Sequence, residues 1–154
     1  PPMIKAHAKA SPKLLRDVVS RANPGVPRLM FGTVDVRDVA RAHVAALTHP
    51  DPPERCLLVG DNVWLDDVAA QLQALFPEIR MGTRRLPKWL VLAAAMRDPN
   101  LNARQLRTLI GRAMPLDNKR SLDAYALTYR PLRETLRETV EVMVAEGWAR
   151  TASR

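Results

Sequence analysis

The sequence has a single cysteine, Cys56, among its 154 residues. One thiol cannot close an internal disulfide bond, so a disulfide-rich scaffold is excluded. Long hydrophobic runs are missing as well: the longest, residues 89–96 (WLVLAAAM), is far shorter than the roughly 20 residues that cross a bilayer. No charged-then-apolar segment opens the chain. We therefore expect a cytoplasmic protein that has no membrane partner.

Glycine and aromatic residues are also scarce, and their scarcity removes several kinds of site. Aromatic residues make up 5% of the chain, which leaves no stacking platform for single-stranded nucleic acid. The glycines are too far apart for a dinucleotide- or phosphate-binding loop: they are Gly25, Gly32, Gly60, Gly82, Gly111 and Gly147. The three histidines and Cys56 show no metal-ligand spacing, and no serine lies in a nucleophile-elbow motif. The residues alone therefore predict no metal site and no catalytic group.

The net charge of +8 raises nucleic acid as a possible partner. The basic residues occur singly or in pairs along the chain, however, and charge by itself bears on solubility and steering, so nucleic acid is not the expected partner. With 47% hydrophobic and 26% charged residues, the composition is that of a soluble globular protein, and the length favours one domain over 1–154. The opening PPMIKAHAKA lacks an initiator methionine and suggests a piece of a longer protein.

Helical and extended patterns alternate in the first half. We expect a helix over residues 11–22 with Ser11 as its cap and Pro12 at its first position. Residues 29–36 favour a strand, after which the apolar spacing becomes helical. The stripe expected to face the core of this second helix comprises Val36, Val39, Ala40, His43, Val44 and Leu47.

The rest of the chain predicts one more strand and several helices. Residues 54–59 predict a buried strand, and Gly60 to Asn62 a turn. The further predicted elements are a helix over 65–76, a short strand within 77–86, helices over about 87–98, 103–112 and 120–127, and a last helix that ends at Gly147. The fold class is therefore α/β and helix-rich, with two or three short strands. So few strands need a neighbour, and we expect exposed apolar surface on the strands and on the helix that contains Trp89.

The individual polar and aromatic residues have mainly structural interpretations. Asp35 and Asp38 lie at a helix start, which favours caps over an acid/base pair. His43 is expected to be packed on the apolar face of its helix, and Cys56 to be an inert thiol in a buried strand. The three tryptophans, Trp64, Trp89 and Trp148, are expected to be packing residues.

One segment resembles a known family. Residues 31–47 (FGTVDVRDVARAHVAAL) are similar to the strand-to-helix element of extended short-chain dehydrogenases/reductases, in the dihydroflavonol-reductase-like and aldehyde-reductase-like branch. The segments ERCLLVGD, LDDVAAQLQALFP, TRRLPKWLV and YRPLRETLRETVEVMVAEG follow in the family's order. The resemblance covers nearly the whole chain, but only the C-terminal, substrate-binding half of the family. It implies the helix-rich C-terminal part of an extended Rossmann-type reductase.

The family's catalytic and cofactor motifs are not found in this sequence. Its Gly-x-x-Gly-x-x-Gly loop is missing, and neither tyrosine completes a Tyr-x-x-x-Lys motif, because Tyr125 is followed four residues later by Tyr129 and Tyr129 by Arg133. The family's reaction needs a tyrosine acid whose pKa is lowered by lysine and nicotinamide. The resemblance thus implies that NADP or NAD is bound mainly by a missing N-terminal half, and that this chain alone is inactive.

The resemblance also implies a few binding residues. Pro1 matches the end of a Gly-Pro element beside the nicotinamide, and Ser11 matches a serine that touches the cofactor while it caps a helix. Met3 and His7 would lie in the variable substrate loop. Phe31 replaces an arginine that meets diphosphate in the sugar-nucleotide epimerases, so such substrates are disfavoured and Phe31 becomes a wall of the substrate pocket.

Two hypotheses follow. The first is the substrate-binding half of an NAD(P)-dependent oxidoreductase that transfers hydride between nicotinamide and a ketone, aldehyde or secondary alcohol. The second is a non-catalytic, basic, helical domain that binds a protein or nucleic-acid partner. Phosphate binding would weaken steeply with salt, which distinguishes the nucleic-acid form of the second hypothesis.

Overall fold

The computed structural model describes residues 11–97 and 102–147, with side chains from residue 13 onward. Within these ranges the chain is α/β and rich in helix, as the sequence predicts. Its elements are α1 (Ser11–Val19), β1 (Met30–Thr33), α2 (Val36–Thr48), β2 (Asp61–Trp64), α3 (Leu65–Leu75), α4 (Lys88–Ala95), α5 (Ala103–Leu109), α6 (Lys119–Tyr125) and α7 (Leu132–Ala145).

The two strands form an antiparallel pair in which Met30 lies opposite Trp64 and Thr33 opposite Asp61. The Gly60 N–H donates to the Thr33 carbonyl at 2.7 Å, at the end of the strand pair that the segment containing α2 connects. Two strands alone are marginally stable in water, so the pair needs cover. Helix α3 supplies part of it, because it continues directly from β2 and packs against that strand.

The position of the second strand corrects the sequence prediction. The strand expected over 54–59 is wrong, and so is the turn expected at 60–62, because residues 61–64 take the backbone partners that β1 offers. Within 54–59 only Val59 is buried, while Leu57 is 51% exposed. The short strand expected within 77–86 is reduced to one parallel bridge between Val26 and Arg85.

The hydrophobic core lies among α1, α3 and α7. Its buried members are Val18, Val19, Val26, Leu65, Val68, Ala69, Leu72, Ile79, Met81, Leu136, Val140 and Met143. Phe31 of β1 and Val63 of β2 pack against this cluster while staying half-buried. The core thus fixes the face of the strand pair that carries Phe31.

The helix boundaries follow the sequence signals closely. Asp35 is the N-cap of α2, as predicted, and its side chain accepts a hydrogen bond from the Arg37 N–H. The cap ends the extended segment earlier than the predicted strand over 29–36. Gly147 follows the end of α7 with a left-handed φ of +71°, a conformation that favours glycine, so the predicted stop is confirmed.

The buried face of α2 is nearly opposite to the predicted one. Asp38 and Ala42 are buried, and Ala45 and Ala46 half-buried. Small and ion-paired residues therefore face the protein, and most of the apolar side chains face outward. We name these outward residues the α2 stripe: Val36 (49% exposed), Ala40, Val44 (64%) and Leu47 (86%).

The tryptophans also differ from expectation. Trp89 is 69% exposed, so its interpretation as a packing residue is wrong; it lies on the face of α4 away from the buried Val91. Trp64 is half-buried, with the Arg28 guanidinium 4.2 Å from its ring centroid. Trp148 lies outside the described residues. The exposed apolar surface expected on the Trp89 helix is therefore present, whereas the two strands are partly covered by the core.

Candidate functional site

The site residues named from the sequence are only partly within the described structure. Pro1, Met3 and His7 lie outside the described residues, and Ser11 is the first residue of α1. Phe31 lies on β1 opposite Val63. Its half-buried ring packs on the core side and leaves part of its surface accessible.

Asp35 joins the start of α2 to α7. It accepts hydrogen bonds from Arg37 Nε at 2.9 Å and Nη2 at 2.8 Å, and from the Thr135 hydroxyl at 2.8 Å. Arg37 also contacts Glu138 at 2.6 Å. The bond from Arg37 holds the pKa of Asp35 well below its usual range, against the opposing effect of burial. This carboxylate therefore stays ionised and fully engaged, which excludes it as a proton donor at neutral pH.

Asp38 joins α2 to the segment before α7. It is 1% exposed and accepts from the Arg41 guanidinium at 2.5 Å and from the Arg130 backbone N–H at 2.8 Å. Arg41 also donates to the Thr128 carbonyl. Asp35 is thus a cap, as predicted, whereas the same prediction for Asp38 is wrong, because its carboxylate bonds to Arg41 and Arg130 and to no backbone N–H of its own helix. Both carboxylates fix where α2 lies.

A third buried carboxylate, Asp66, connects three separate segments. It accepts from Arg28 Nη1 at 2.8 Å and from Arg85 Nε at 2.7 Å, and Arg28 stacks over Trp64. Burial would raise the pKa of Asp66, but the hydrogen bonds from the two arginines outweigh it and lower the pKa. Its Oδ1 atom is buried without a hydrogen-bond partner among the described residues. The cluster holds the segment at Arg85 beside Arg28 and the first turn of α3.

A groove of about 630 Å³ lies between α2, α6 and the segment before Val59. Its lining residues are Ala42, His43, Ala46, Pro53, Glu54, Arg55, Cys56, Leu57, Leu58, Asp117, Arg120 and Tyr125. His43 is exposed here, not packed in the core as expected, because the buried face of α2 is the opposite one. Its Nδ1 lies 2.8 Å from the Val39 carbonyl and donates to it.

Cys56 is likewise not the core thiol that a buried strand would make. It is half-buried in the groove beside Tyr125. Burial and the Cys56 sulfur raise the pKa of Tyr125. A reductase acid needs the opposite shift, so this phenol is unsuited to that role. The groove brings an imidazole, a thiol and a phenol together, but the structure shows no hydrogen bond between His43 and Cys56.

The described residues offer neither a metal-binding cluster nor a membrane-spanning helix. In residues 11–97 and 102–147, no group of three or more histidine, cysteine or acidic side chains lies close enough to hold a metal ion. No helix in the described part of the chain is both long and apolar enough to cross a bilayer.

Sequence reasoning missed the Asp66 cluster and the groove. By its position in the sequence, Asp66 indicates only an acidic residue in the first turn of the helix predicted over 65–76. Arg28 and Arg85 lie 38 and 19 residues away from it, and no local spacing signals such contacts. The groove exists because the alanine face of α2 is turned towards the protein. The small residues Ala42, Ala45 and Ala46 were the signal that could have indicated a close packing face.

No protein-family model matches the sequence, and no curated protein matches it either. Solved structures do match. The crystal structure of gox2253 has a TM-score of 0.70 at 17% identity, over 90% of this chain and 44% of that one. The yeast methylglyoxal/isovaleraldehyde reductase Gre2, complexed with NADPH, has a TM-score of 0.59 at 25% identity, over 88% of this chain and 35% of that one.

This chain therefore spans less than half the length of either neighbour. Its helix-rich α/β fold resembles the C-terminal part of a reductase of the short-chain dehydrogenase/reductase type. The similarity to Gre2 supports that superfamily and a general likeness to oxidoreductases.

Proposed function

We propose that this chain is the substrate-binding part of an NAD(P)-dependent oxidoreductase. The larger protein would transfer hydride between nicotinamide and a ketone, aldehyde or secondary alcohol. The observation that carries the proposal is the likeness to Gre2, an NADPH-bound aldehyde reductase, over 88% of this chain. The sequence resemblance of residues 31–47 to the same superfamily supports it independently.

The α2 stripe supports the presence of a further structural unit. Val44 and Leu47 are 64% and 86% exposed, although they lie on the most apolar side of α2. Burying a leucine side chain stabilises a protein by about 1.5–3 kcal/mol, so an amphipathic helix normally turns such residues inward. A dinucleotide-binding unit in the larger protein would cover the stripe, because this chain spans only 44% and 35% of its structural neighbours.

In that protein the described residues would bind and orient, and the chemistry would lie elsewhere. Phe31 would form an apolar wall of the substrate pocket, with Met3 and His7 in the adjoining loop. Pro1 and Ser11 would contact NADP or NAD, which supplies the hydride. The networks at Asp35 and Asp38 would hold α2 in place for docking. Alone, the chain should not turn over a carbonyl compound.

The test is an assay of the longest reading frame that contains this sequence. The purified product is mixed with NADPH or NADH and with methylglyoxal, isovaleraldehyde or other small carbonyl compounds. We expect oxidation of one nicotinamide with at least one carbonyl compound, and none by the 154-residue chain alone. Absence of turnover with every carbonyl and alcohol tested, with either nicotinamide, would contradict the proposal.

Two matched pairs of substitutions test the role of the α2 stripe in that product. Val44→Gln with Leu47→Gln should abolish activity or assembly, since the stripe would be buried in the larger protein. Trp89→Gln with Met96→Gln changes an equally exposed apolar pair on α4 and should leave turnover in place. Equal activity of the two double variants would show that the stripe is not a docking face.

A further inference from the structure

The positive charge of the chain is concentrated in one region. Residues 80–97 and 102–112, which we name the basic arm, contain eight lysines and arginines and no aspartate or glutamate. With Asp98 between them, residues 80–112 carry a net charge of +7, against +8 for the whole sequence. The remainder of the chain is almost neutral. The arm therefore dominates the long-range field of the molecule.

The cations of the basic arm are exposed and mostly without a counter-charge. They are Arg80, Arg84, Arg85, Lys88, Arg97, Arg104, Arg107 and Arg112, and each is exposed. Arg85 pairs with Asp66, whereas the other seven have no carboxylate within 4.0 Å among the described residues. Outside the arm, two of the four exposed arginines of the described helices are paired, Arg41 with Asp38 and Arg137 with Glu141. The arm thus has the larger share of cations whose charge faces solvent without a nearby carboxylate.

An apolar stripe lies among these cations. On α4 and its last turn, Trp89, Leu92 and Met96 are spaced as i, i+3 and i+7, which places them on one helix face. Trp89 is 69% and Met96 80% exposed, while Val91 and Ala95 on the other side are buried. Lys88 and Arg97 lie at the two ends of this stripe. Helix α5 packs against α4 and adds the exposed Arg104 and Arg107.

We propose that the basic arm docks on an anionic lipid surface. Helix α4 would lie in the plane of the membrane, with Trp89 and Met96 at the level of the headgroups and the cations on the lipid phosphates and carboxylates. Tryptophan and cations are common where proteins meet a membrane interface. Because α4 carries only Lys88 within its length, most of the charge in this arrangement comes from the segments beside it and from α5. It concerns peripheral contact, and so differs from the expectation of no membrane partner, which rested on the absence of spanning segments.

Two other occupants fit the surface less well. Arginine, tryptophan and methionine are common in protein–protein interfaces, but a protein partner would have to supply a carboxylate for each of the seven cations that it buried, because a buried charge without a counter-charge is costly. Nucleic acid would satisfy the charge but not the apolar stripe, because only Trp89 could stack on a base and Met96 would stay exposed. A lipid surface satisfies both features together.

The experiment is vesicle sedimentation with the 154-residue chain. One set of vesicles is pure phosphatidylcholine, and in the other a third of the lipid is phosphatidylserine. We expect binding to the anionic vesicles, weakening as salt is raised, and little binding to the neutral ones. Arg104→Gln with Arg107→Gln should lower the binding constant about 25-fold at low salt, since each cation near an anionic membrane contributes about fivefold.

The control carries the same charge change elsewhere: Arg133→Gln with Arg137→Gln, two exposed positions on α7. This variant should bind nearly as the unchanged chain does. Trp89→Gln should weaken binding at every salt concentration, whereas the effect of the arm arginines should shrink at high salt. That contrast separates the apolar from the electrostatic contribution.

Three outcomes would overturn the proposal. The first is no sedimentation with anionic vesicles at low salt. The second is an equal loss of binding in the α5 and α7 double variants, which would show a response to net charge alone. The third is tight, salt-dependent binding to duplex DNA or single-stranded RNA without vesicle binding, which would favour a nucleic-acid partner.

Discussion

The α2 stripe and the basic arm both expose apolar side chains, but the charges around those side chains differ. Around the stripe, Asp35 pairs with Arg37 and Asp38 with Arg41, so the start of α2 is neutral. Around Trp89 and Met96 the cations are in excess. A neutral apolar face suits burial against more protein, and a basic one suits an anionic surface. Exposure by itself therefore does not identify a partner; the charge around the apolar side chains does.

The two regions also differ in how they are held. The start of α2 is fixed by two buried carboxylates that reach the segment 128–138. The basic arm depends on the bridge between Val26 and Arg85, the Asp66 cluster and a hydrogen bond from the Gly111 N–H to the Arg28 carbonyl. Helix α5 has no buried residue. We expect α2 to be rigid on the body of the protein and the arm to be held mainly at its ends.

The largest expected effect comes from removing the carboxylate that seats α2. Asp38→Ala leaves the Arg130 N–H without its acceptor and removes the partner of the half-exposed Arg41, and should lower the free energy of unfolding by about 3 kcal/mol. Urea unfolding measures it. Asp38→Asn keeps the shape and one acceptor oxygen, so its loss should be clearly smaller.

Arg41→Ala is the matched test from the other side of the pair. Arg41 is half-exposed, so water can replace it and its removal should cost much less than that of Asp38. If Asp38→Ala and Arg41→Ala both lowered the free energy of unfolding only slightly, the Asp38 network would not hold α2 in place. The difference proposed between α2 and the basic arm would then be wrong.

The corresponding test for the arm is Gly25→Ala. A Cβ at Gly25 would lie 2.0 Å from the Arg84 carbonyl oxygen, so the Val26–Arg85 bridge must shift, at a cost of about 1–3 kcal/mol. Faster amide exchange around residues 82–86 should accompany it. Gly111→Ala is the control: it meets no atom within 4 Å but has a φ of +78°, so it tests backbone strain without a clash.

The contrast between these regions also shows which features sequence patterns can predict. Helix starts such as the Asp35 cap, and the stop at Gly147, are determined by local hydrogen bonds and backbone conformation, and they were predicted correctly. Strand positions depend on which residues reach β1, so the apolar run 54–59 was mistaken for the strand that residues 61–64 form.

Which face of α2 is buried could not be predicted either, for a reason different from that for the strands. Apolar periodicity identifies a helix face, but not whether the core or a further unit lies against it. Here the polar contacts of Asp38 and the small Ala42 decide the inward face, and those contacts reach residues about 90 positions away. For the same reason His43 and Cys56 lie in a groove rather than in the core.

As the pH is lowered, the contacts that hold the basic arm should weaken at a higher pH than the contacts that hold α2. Hydrogen bonds from the arginines lower the pKa of Asp66, and that from Arg37 lowers the pKa of Asp35 further. A carboxyl group with a lowered folded pKa stabilises the protein above its unfolded pKa, near 4, and that contribution is lost as the pH falls through the folded value. Amide exchange near Arg85 should therefore rise at a higher pH than exchange near Asp35.

Asp66→Asn isolates the contribution of the arm. Its unfolding free energy should differ from that of the unchanged chain most at neutral pH, and the difference should shrink as the pH falls below about 4, the unfolded pKa, towards the lower pKa that Asp66 has in the folded protein. A difference that stays constant from neutral to acidic pH would mean that the charge of Asp66 does not hold the arm.

The smallest effect is expected at the α2 stripe of the 154-residue chain. Val44 and Leu47 are 64% and 86% exposed, so Val44→Gln and Leu47→Gln should each change the free energy of unfolding by less than about 0.5 kcal/mol. Leu72→Ala, at a residue with no exposed surface, should cost about 2–5 kcal/mol and gives the scale. A large loss in either glutamine variant would mean that the stripe already packs within this chain. The neutral surroundings of the stripe would then be those of an ordinary core face, and the stripe would give no reason to expect a further unit that covers it.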